Sequence, residues 1–187
     1  MLSNPATRYG GVALTAHWLT VLLLAGSFTL GYVMTDMAIS PTKLKLFSYH
    51  KWIGVTIFGL VALRLLWRLF VTPPALPATM AAWERRLASL THGLLYALLF
   101  AVPLSGWLMS SAKGFQTVYF GVWPIPDLLG KDKALAGFFE ATHEFLTSVM
   151  LGLVALHAVA ALKHHFINRD GVLLRMLPSF RSPERLP

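Results

Sequence analysis

The chain has 187 residues, 56% of them hydrophobic and only 13% charged, with a mean hydropathy of +0.60. So little charge cannot cover the surface of a water-soluble domain this long, so the chain reads as an integral membrane protein. The absence of cysteine excludes disulfides, Cys-zinc sites, thiol chemistry and cysteine-ligated iron–sulfur clusters. The net charge of +8 reads as basic loops beside anionic lipid, not as a nucleic-acid surface.

A short polar stretch with Arg8 leads into a first apolar span over 17–34. No small-x-small cleavage pattern follows it, so a retained helix is expected rather than a signal peptide. A loop over 36–46, containing Pro41, Lys43 and Lys45, precedes the second span, 49–70. Pro73, Pro74 and Pro77 end that helix. The charged run Trp83-Glu84-Arg85-Arg86 introduces the third span, 90–111, where Pro103 is expected to make a kink. The longest loop, 113–136, carries Phe115, Tyr119, Phe120 and Trp123 and reads as a segment lying at the membrane–water boundary. The fourth span, 140–166, is followed by a basic tail over 167–187. Each apolar run is long enough to cross a hydrocarbon core ~30 Å thick. The expected fold is therefore all-α: a transmembrane four-helix bundle forming one integral membrane domain over 1–187.

Four alternating spans sort the basic residues onto two sides. Arg8, Arg64, Arg68, Arg85, Arg86 and Lys163 share one side with Arg169, Arg175, Arg181 and Arg185 of the tail. The other side has Lys43, Lys45, Lys51, Lys113, Lys131 and Lys133, offset by Asp36, Asp127, Asp132, Glu140 and Glu144. The excess of positive charge orients the first side, with both termini, to the cytoplasm.

The histidines then acquire depths. His17 opens the first helix on the inner side and His157 lies near the inner end of the fourth; His50 and His143 occupy the outer side. His143 and His157 are fourteen residues apart, which is roughly 21 Å along a helix and within about 40° of one direction. His17 is thus expected to face His157, and His50 to face His143. Facing neutral imidazoles form a six-coordinate axial pair for haem iron, a cofactor that bundle interiors hold. Two such pairs ask for two haems in electron transfer, because a closed coordination sphere leaves no position for oxygen. A single histidine at a helix end is ordinarily an interfacial residue; four at paired depths are harder to obtain by chance. Zinc is disfavoured, since two ligands meet at each level without carboxylate or thiolate company.

Arg64 follows His50 by fourteen residues, on nearly the same face and at the depth of His157. It reads either as a clamp on the propionates of an inner haem or as an arginine snorkelling to the interface; Arg68 reads as the latter. His92 opens the third helix on the inner side and competes with His17 as an axial ligand. His164 follows His157 by two turns. Near an interface, either His92 or His164 can hydrogen-bond a quinone carbonyl or pass a proton, or can simply be solvated.

The stretches Ala16-His17-Trp18-Leu19, His50-Lys51-Trp52-Ile53-Gly54 and Leu63-Arg64-Leu65-Leu66-Trp67-Arg68 recur in a known pattern. So do His92 with Tyr96, Pro103-Leu104-Ser105-Gly106-Trp107, His143-Glu144, Leu156-His157-Ala158, Lys163-His164-His165-Phe166 and Arg169-Asp170-Gly171. Together, over nearly the whole length, they make the chain resemble the bacterial cytochrome b561 family. The resemblance implies an inner-membrane protein with two b-type haems, whose ligands fall on His17, His50, His143 and His157. It also implies exchange of electrons with ubiquinone and a superoxide oxidase activity, in which periplasmic superoxide becomes dioxygen. The lysines of the outer loops, Lys51 among them beside the outer histidine, agree with a small anionic substrate, because a positive field raises its encounter rate. Lys51, Arg64, His92 and His164 are the expected residues of the superoxide, quinone and proton ends. The alternative is a haem-bearing anchor that relays electrons for a hydrogenase- or dehydrogenase-type protein partner, since fold does not fix function.

Overall fold

The computed structural model describes residues 8–77 and 80–177. Arg181, Arg185 and the end of the expected tail lie outside the described residues. Four long helices run alternately up and down: α1 (Gly11–Thr35), α2 (Pro41–Phe70), α3 (Ala82–Ala112) and α4 (Lys133–Lys163). All four are long and apolar enough to cross a membrane. α4 continues through a π-helical turn, His164–Asn168, and a short 3-10 turn follows at Leu173–Met176. The architecture is all-helical, as expected, apart from one small ribbon described below.

The helices begin earlier than hydropathy alone suggests, and for α2 and α4 the reason is side-chain capping. α2 starts at Pro41, inside the expected loop 36–46, because Ser40 accepts the Lys43 amide and proline suits the first helical turn. α4 starts at Lys133 because the Asp132 carboxylate accepts the amides of Ala134 and Leu135. α3 takes in the charged run 83–86 and passes through Pro103 as one helix. It ends where Gly114, at φ +74°, turns the chain back, a conformation glycine adopts without penalty.

The connection after α3 contains an antiparallel ribbon of β1 (Val118–Tyr119) and β2 (Trp123–Pro124). A type I′ turn joins them, with Phe120 and Gly121 both at positive φ and the Val122 amide bonded to the Tyr119 carbonyl. Side chains of α2 hold the ribbon down. Trp52 donates to the Val118 carbonyl (2.7 Å), Thr56 meets the Tyr119 hydroxyl (2.9 Å) and Lys51 donates to the Phe115 carbonyl (2.9 Å). At the opposite end, the Trp18 indole donates to the Met176 carbonyl and Arg8 to those of Leu174 and Leu177, so the 3-10 turn lies against α1. These features distinguish a ribbon end and a tail end of the bundle.

The closest helix packing is α1 on α2 and α3 on α4, and α2 on α3 joins the two hairpins. Ile57, Val61, Leu98, Leu99 and Met150 form the buried core. On α2, His50, Ile57, Val61 and Arg64 recur at helical spacing; on α4, His143, Met150 and His157 do so. Each of these stripes thus has a polar group toward either end and apolar side chains between. Outward faces are apolar too: Leu22, Leu63, Leu69, Phe145 and Val159 are all more than half exposed. Such a surface is stable in lipid, not in water.

Candidate functional site: two imidazole pairs

At the ribbon end, the rings of His50 on α2 and His143 on α4 lie 6.2 Å apart, centre to centre, at an interplanar angle of 86°. At the tail end, those of His17 on α1 and His157 on α4 are 6.4 Å apart at 65°. An imidazole nitrogen binds a transition metal at about 2.0 Å, and adding the ring radii puts two ligand rings on one metal roughly 6 Å apart. Both pairs have that separation. His92 approaches His157 more closely, at 5.3 Å, which is too short for two ligands on opposite sides of one metal, and its side chain is exposed. Of the two histidines competing to face His157, His17 therefore has the better spacing. Among the described residues no cluster of three or more His, Asp or Glu forms a metal-ion cage, so these pairs suit a metal whose remaining ligands come from a macrocycle.

The ribbon-end histidines are oriented by their neighbours within each hairpin. His50 Nδ1 lies 3.1 Å from the Ser27 carbonyl and 3.2 Å from the Ser27 hydroxyl, both on α1. His143 Nδ1 lies 3.0 Å from the Val102 carbonyl and 3.0 Å from the Ser105 hydroxyl, both on α3. A carbonyl only accepts, so Nδ1 holds the proton in each ring and Nε2 is left as the free electron pair. That is the tautomer a metal-binding histidine needs. Gly106 gives the His143 ring its place, since a Cβ there would stand 3.0 Å from His143 Cε1, whereas one on Gly31 would only touch His50 Cε1 at an ordinary 3.6 Å. In the sequence Ser105 and Gly106 belong to the stretch 103–107 that carries the family resemblance, but nothing there marks the part that they, Ser27 and Gly31 play beside a histidine on the next helix.

The tail end is built differently. Arg64 reaches the tail-end pair, its guanidinium donating to His17 Nδ1 over 3.3 Å. Arg64 and Arg68 also stand over the Tyr96 ring, at 5.4 and 5.3 Å. Arg68, expected only to snorkel, therefore shares this aromatic partner with Arg64. Lys51 is at the ribbon end beside His50, with one of its three protons given to the Phe115 carbonyl. His164 is buried apart from the histidine cluster. Its Nδ1 is 2.5 Å from the Asp170 carboxylate and 3.1 Å from the Asn168 amide.

Residues 8–179 match the family model for prokaryotic cytochrome b561. The chain is 35% identical over 176 residues to cytochrome b561 homolog 2 of Escherichia coli K12, covering 94% of each protein. It is 30% identical to cytochrome b561 homolog 1 of the same organism, over 91% of this chain and 97% of that one. A protein of Yersinia pestis named probable superoxide oxidase CybB is also 30% identical, over 93% of this chain and 98% of its own length. The donor set of the two pairs, neutral imidazoles on facing helices, suits the b-type haem that this family implies. The chain belongs to the prokaryotic cytochrome b561 family, and is a multi-pass membrane electron-transfer protein of the haem-binding kind.

Proposed function

We propose that this protein is a superoxide oxidase of the bacterial inner membrane, a single membrane domain that passes electrons from periplasmic superoxide to ubiquinone. Two superoxide ions lose one electron each and become dioxygen; the two electrons and two protons convert ubiquinone to ubiquinol. The ribbon end faces the periplasm and both termini face the cytoplasm, in keeping with the excess of arginine at the tail end. His50 with His143 and His17 with His157 would hold two haem b groups, which would supply one-electron exchange. The observation that carries this reading is the pair of imidazole pairs, each about 6 Å across, at opposite ends of one membrane bundle. The name of the Yersinia relative supports the substrate.

The chain's own residues divide the remaining work. Lys51 keeps a positive charge beside His50, where it draws a small anion toward the ribbon end. Ligation of His17 through Nε2 requires a proton on Nδ1, which a guanidinium cannot accept. Were haem held there, Arg64 would remain a cation beside His17 and could serve a haem propionate as a bidentate partner. His92, more exposed and close to His157, and His164, backed by Asp170, are the groups placed to hydrogen-bond ubiquinone and deliver its protons at the tail end.

Purified protein with full haem content should consume superoxide and reduce a soluble ubiquinone in a two-to-one ratio, more slowly as salt is raised. Consumption without quinone reduction, or neither, sinks the reading. A second reading, an anchor that relays electrons for a hydrogenase- or dehydrogenase-type partner, draws on the exposed Phe120, Val122 and Trp123 of the ribbon. It would be favoured by a redox protein that co-purifies and reduces the haems without superoxide.

A further inference from the structure

The two histidine pairs are chemically unequal, and the inequality points along the membrane normal. At the ribbon end, both Nδ1 groups have acceptors: the Ser27 carbonyl and hydroxyl for His50, the Val102 carbonyl and Ser105 hydroxyl for His143. The Ser105 hydroxyl gives its own proton to the Val102 carbonyl over 2.8 Å, which turns a lone pair toward His143. Hydrogen-bond donation from Nδ1 pushes electron density onto Nε2 and makes it a stronger donor. A stronger donor stabilises the more positive, oxidised iron. At the tail end the opposite holds. His17 Nδ1 has no acceptor, since its partner is the guanidinium of Arg64, which only donates, and among the described residues His157 has ring contacts but no hydrogen-bond partner.

Fixed charge acts in the same direction. Arg64 and Arg68 converge on Tyr96 at the tail end. The acids described there, Glu84 and Asp170, are already engaged by Lys163 and His164. At the ribbon end Lys51 adjoins His50, but Glu144 adjoins His143, so neither sign dominates. Positive charge near an iron favours the reduced state, and inside a membrane such charges are weakly screened.

We propose that the Ser27 and Ser105 hydroxyls, with the Ser27 and Val102 carbonyls, act as positioning groups that hold the ribbon-end haem at a lower reduction potential than the tail-end haem, which Arg64 raises. Electrons that enter beside Lys51 then run downhill toward the tail end, so direction is built into the bundle rather than imposed by the acceptor. This inference rests on the ligand assignment above.

The test is potentiometry of the purified, haem-loaded protein, followed in the visible spectrum, with haem content measured alongside. Wild type should show two one-electron transitions. His143→Ala should lose one haem and keep the upper transition; His157→Ala should lose one and keep the lower. Ser27→Ala and Ser105→Ala, with both haems present, should each raise the lower transition, and the double variant should raise it further while leaving the upper in place. Arg64→Gln should lower the upper transition alone. If His143→Ala kept both haems, or lost both from a folded protein, the ligand assignment would fail and this inference with it. Selective loss of one haem from His143→Ala with survival of the lower transition would leave the ligands standing and overturn the inference. So would serine variants that shift the upper transition or neither.

Discussion

Gly106 is the residue on which the ribbon-end pair is most sensitive to one added atom. A Cβ there would come within 3.0 Å of His143 Cε1 and 3.2 Å of Nδ1. The ring is also held between Val102 and Ser105, so it cannot yield without giving up its hydrogen bonds. Gly106→Ala should therefore cost about 1–3 kcal/mol by overpacking and lower ribbon-end haem content by displacing the ligand. Gly93→Ala on the same helix, where a Cβ meets nothing within 4 Å, is the control and should retain both haems. Equal haem loss in both variants would trace the effect to the helix rather than to the ring. Lys51 acts at the same scale but through space. Lys51→Gln should slow superoxide consumption at low ionic strength and flatten its dependence on salt, measured as initial rates between low and near-physiological salt. An unchanged salt profile would remove Lys51 from the entry path.

Among the elements, α4 and the ribbon do the most to define the site. α4 carries one member of each pair, His143 and His157, with Met150 buried between them. Its two histidines were legible in the sequence because a rise of 1.5 Å and a turn of 100° per residue fix depth and direction along a single helix. Their partners on α1 and α2 followed from alternation of the spans. Ser27, Gly31, Ser105 and Gly106 did not follow, because their role depends on how neighbouring helices are rotated against one another, which hydropathy does not encode. The ribbon was missed for a related reason. Each strand has only two residues, and what holds it is side chains 66 and 63 positions away in sequence, Trp52 and Thr56. Helix starts at Pro41 and Lys133 were written in Ser40 and Asp132, but charged residues beside them drew the expected spans inward. Since each ribbon bond is worth about 1 kcal/mol, Trp52→Phe with Tyr119→Phe should leave the bundle intact and speed proteolytic nicking over 113–132 several-fold. Unaltered nicking would mean that the backbone bonds of Thr117 and Ser110 hold the segment unaided.

Over the whole molecule, charge is divided unequally. Among the described residues the ribbon end has six lysines against five acids, whereas the tail end has eight basic residues against Glu84 and Asp170. The positive charge of the described residues thus belongs almost entirely to the tail end, where it faces anionic headgroups in the proposed orientation. Raising the salt should accordingly weaken peripheral lipid contacts at the tail end more than it disturbs the bundle. The expected outcome is an unchanged thermal midpoint of haem loss in detergent between low and high salt. A large fall would show that exposed pairs such as Lys113–Glu140 contribute more than the usual fraction of a kcal/mol for surface salt bridges.

The histidines are oriented within hairpins but paired between them. Ser27 of α1 aims His50 of α2, and Ser105 of α3 aims His143 of α4, whereas His50 meets His143, and His17 meets His157, only across the two halves. The ligands of one pair are separated by 93 positions and those of the other by 140. On the proposed ligand assignment, a chain emerging from the ribosome can aim His50 once its first hairpin is formed, yet would have no complete haem site until its last helix is in the membrane. Haem held in that way would stitch the first half of the molecule to the second, so that cofactor loading would follow insertion of the whole bundle.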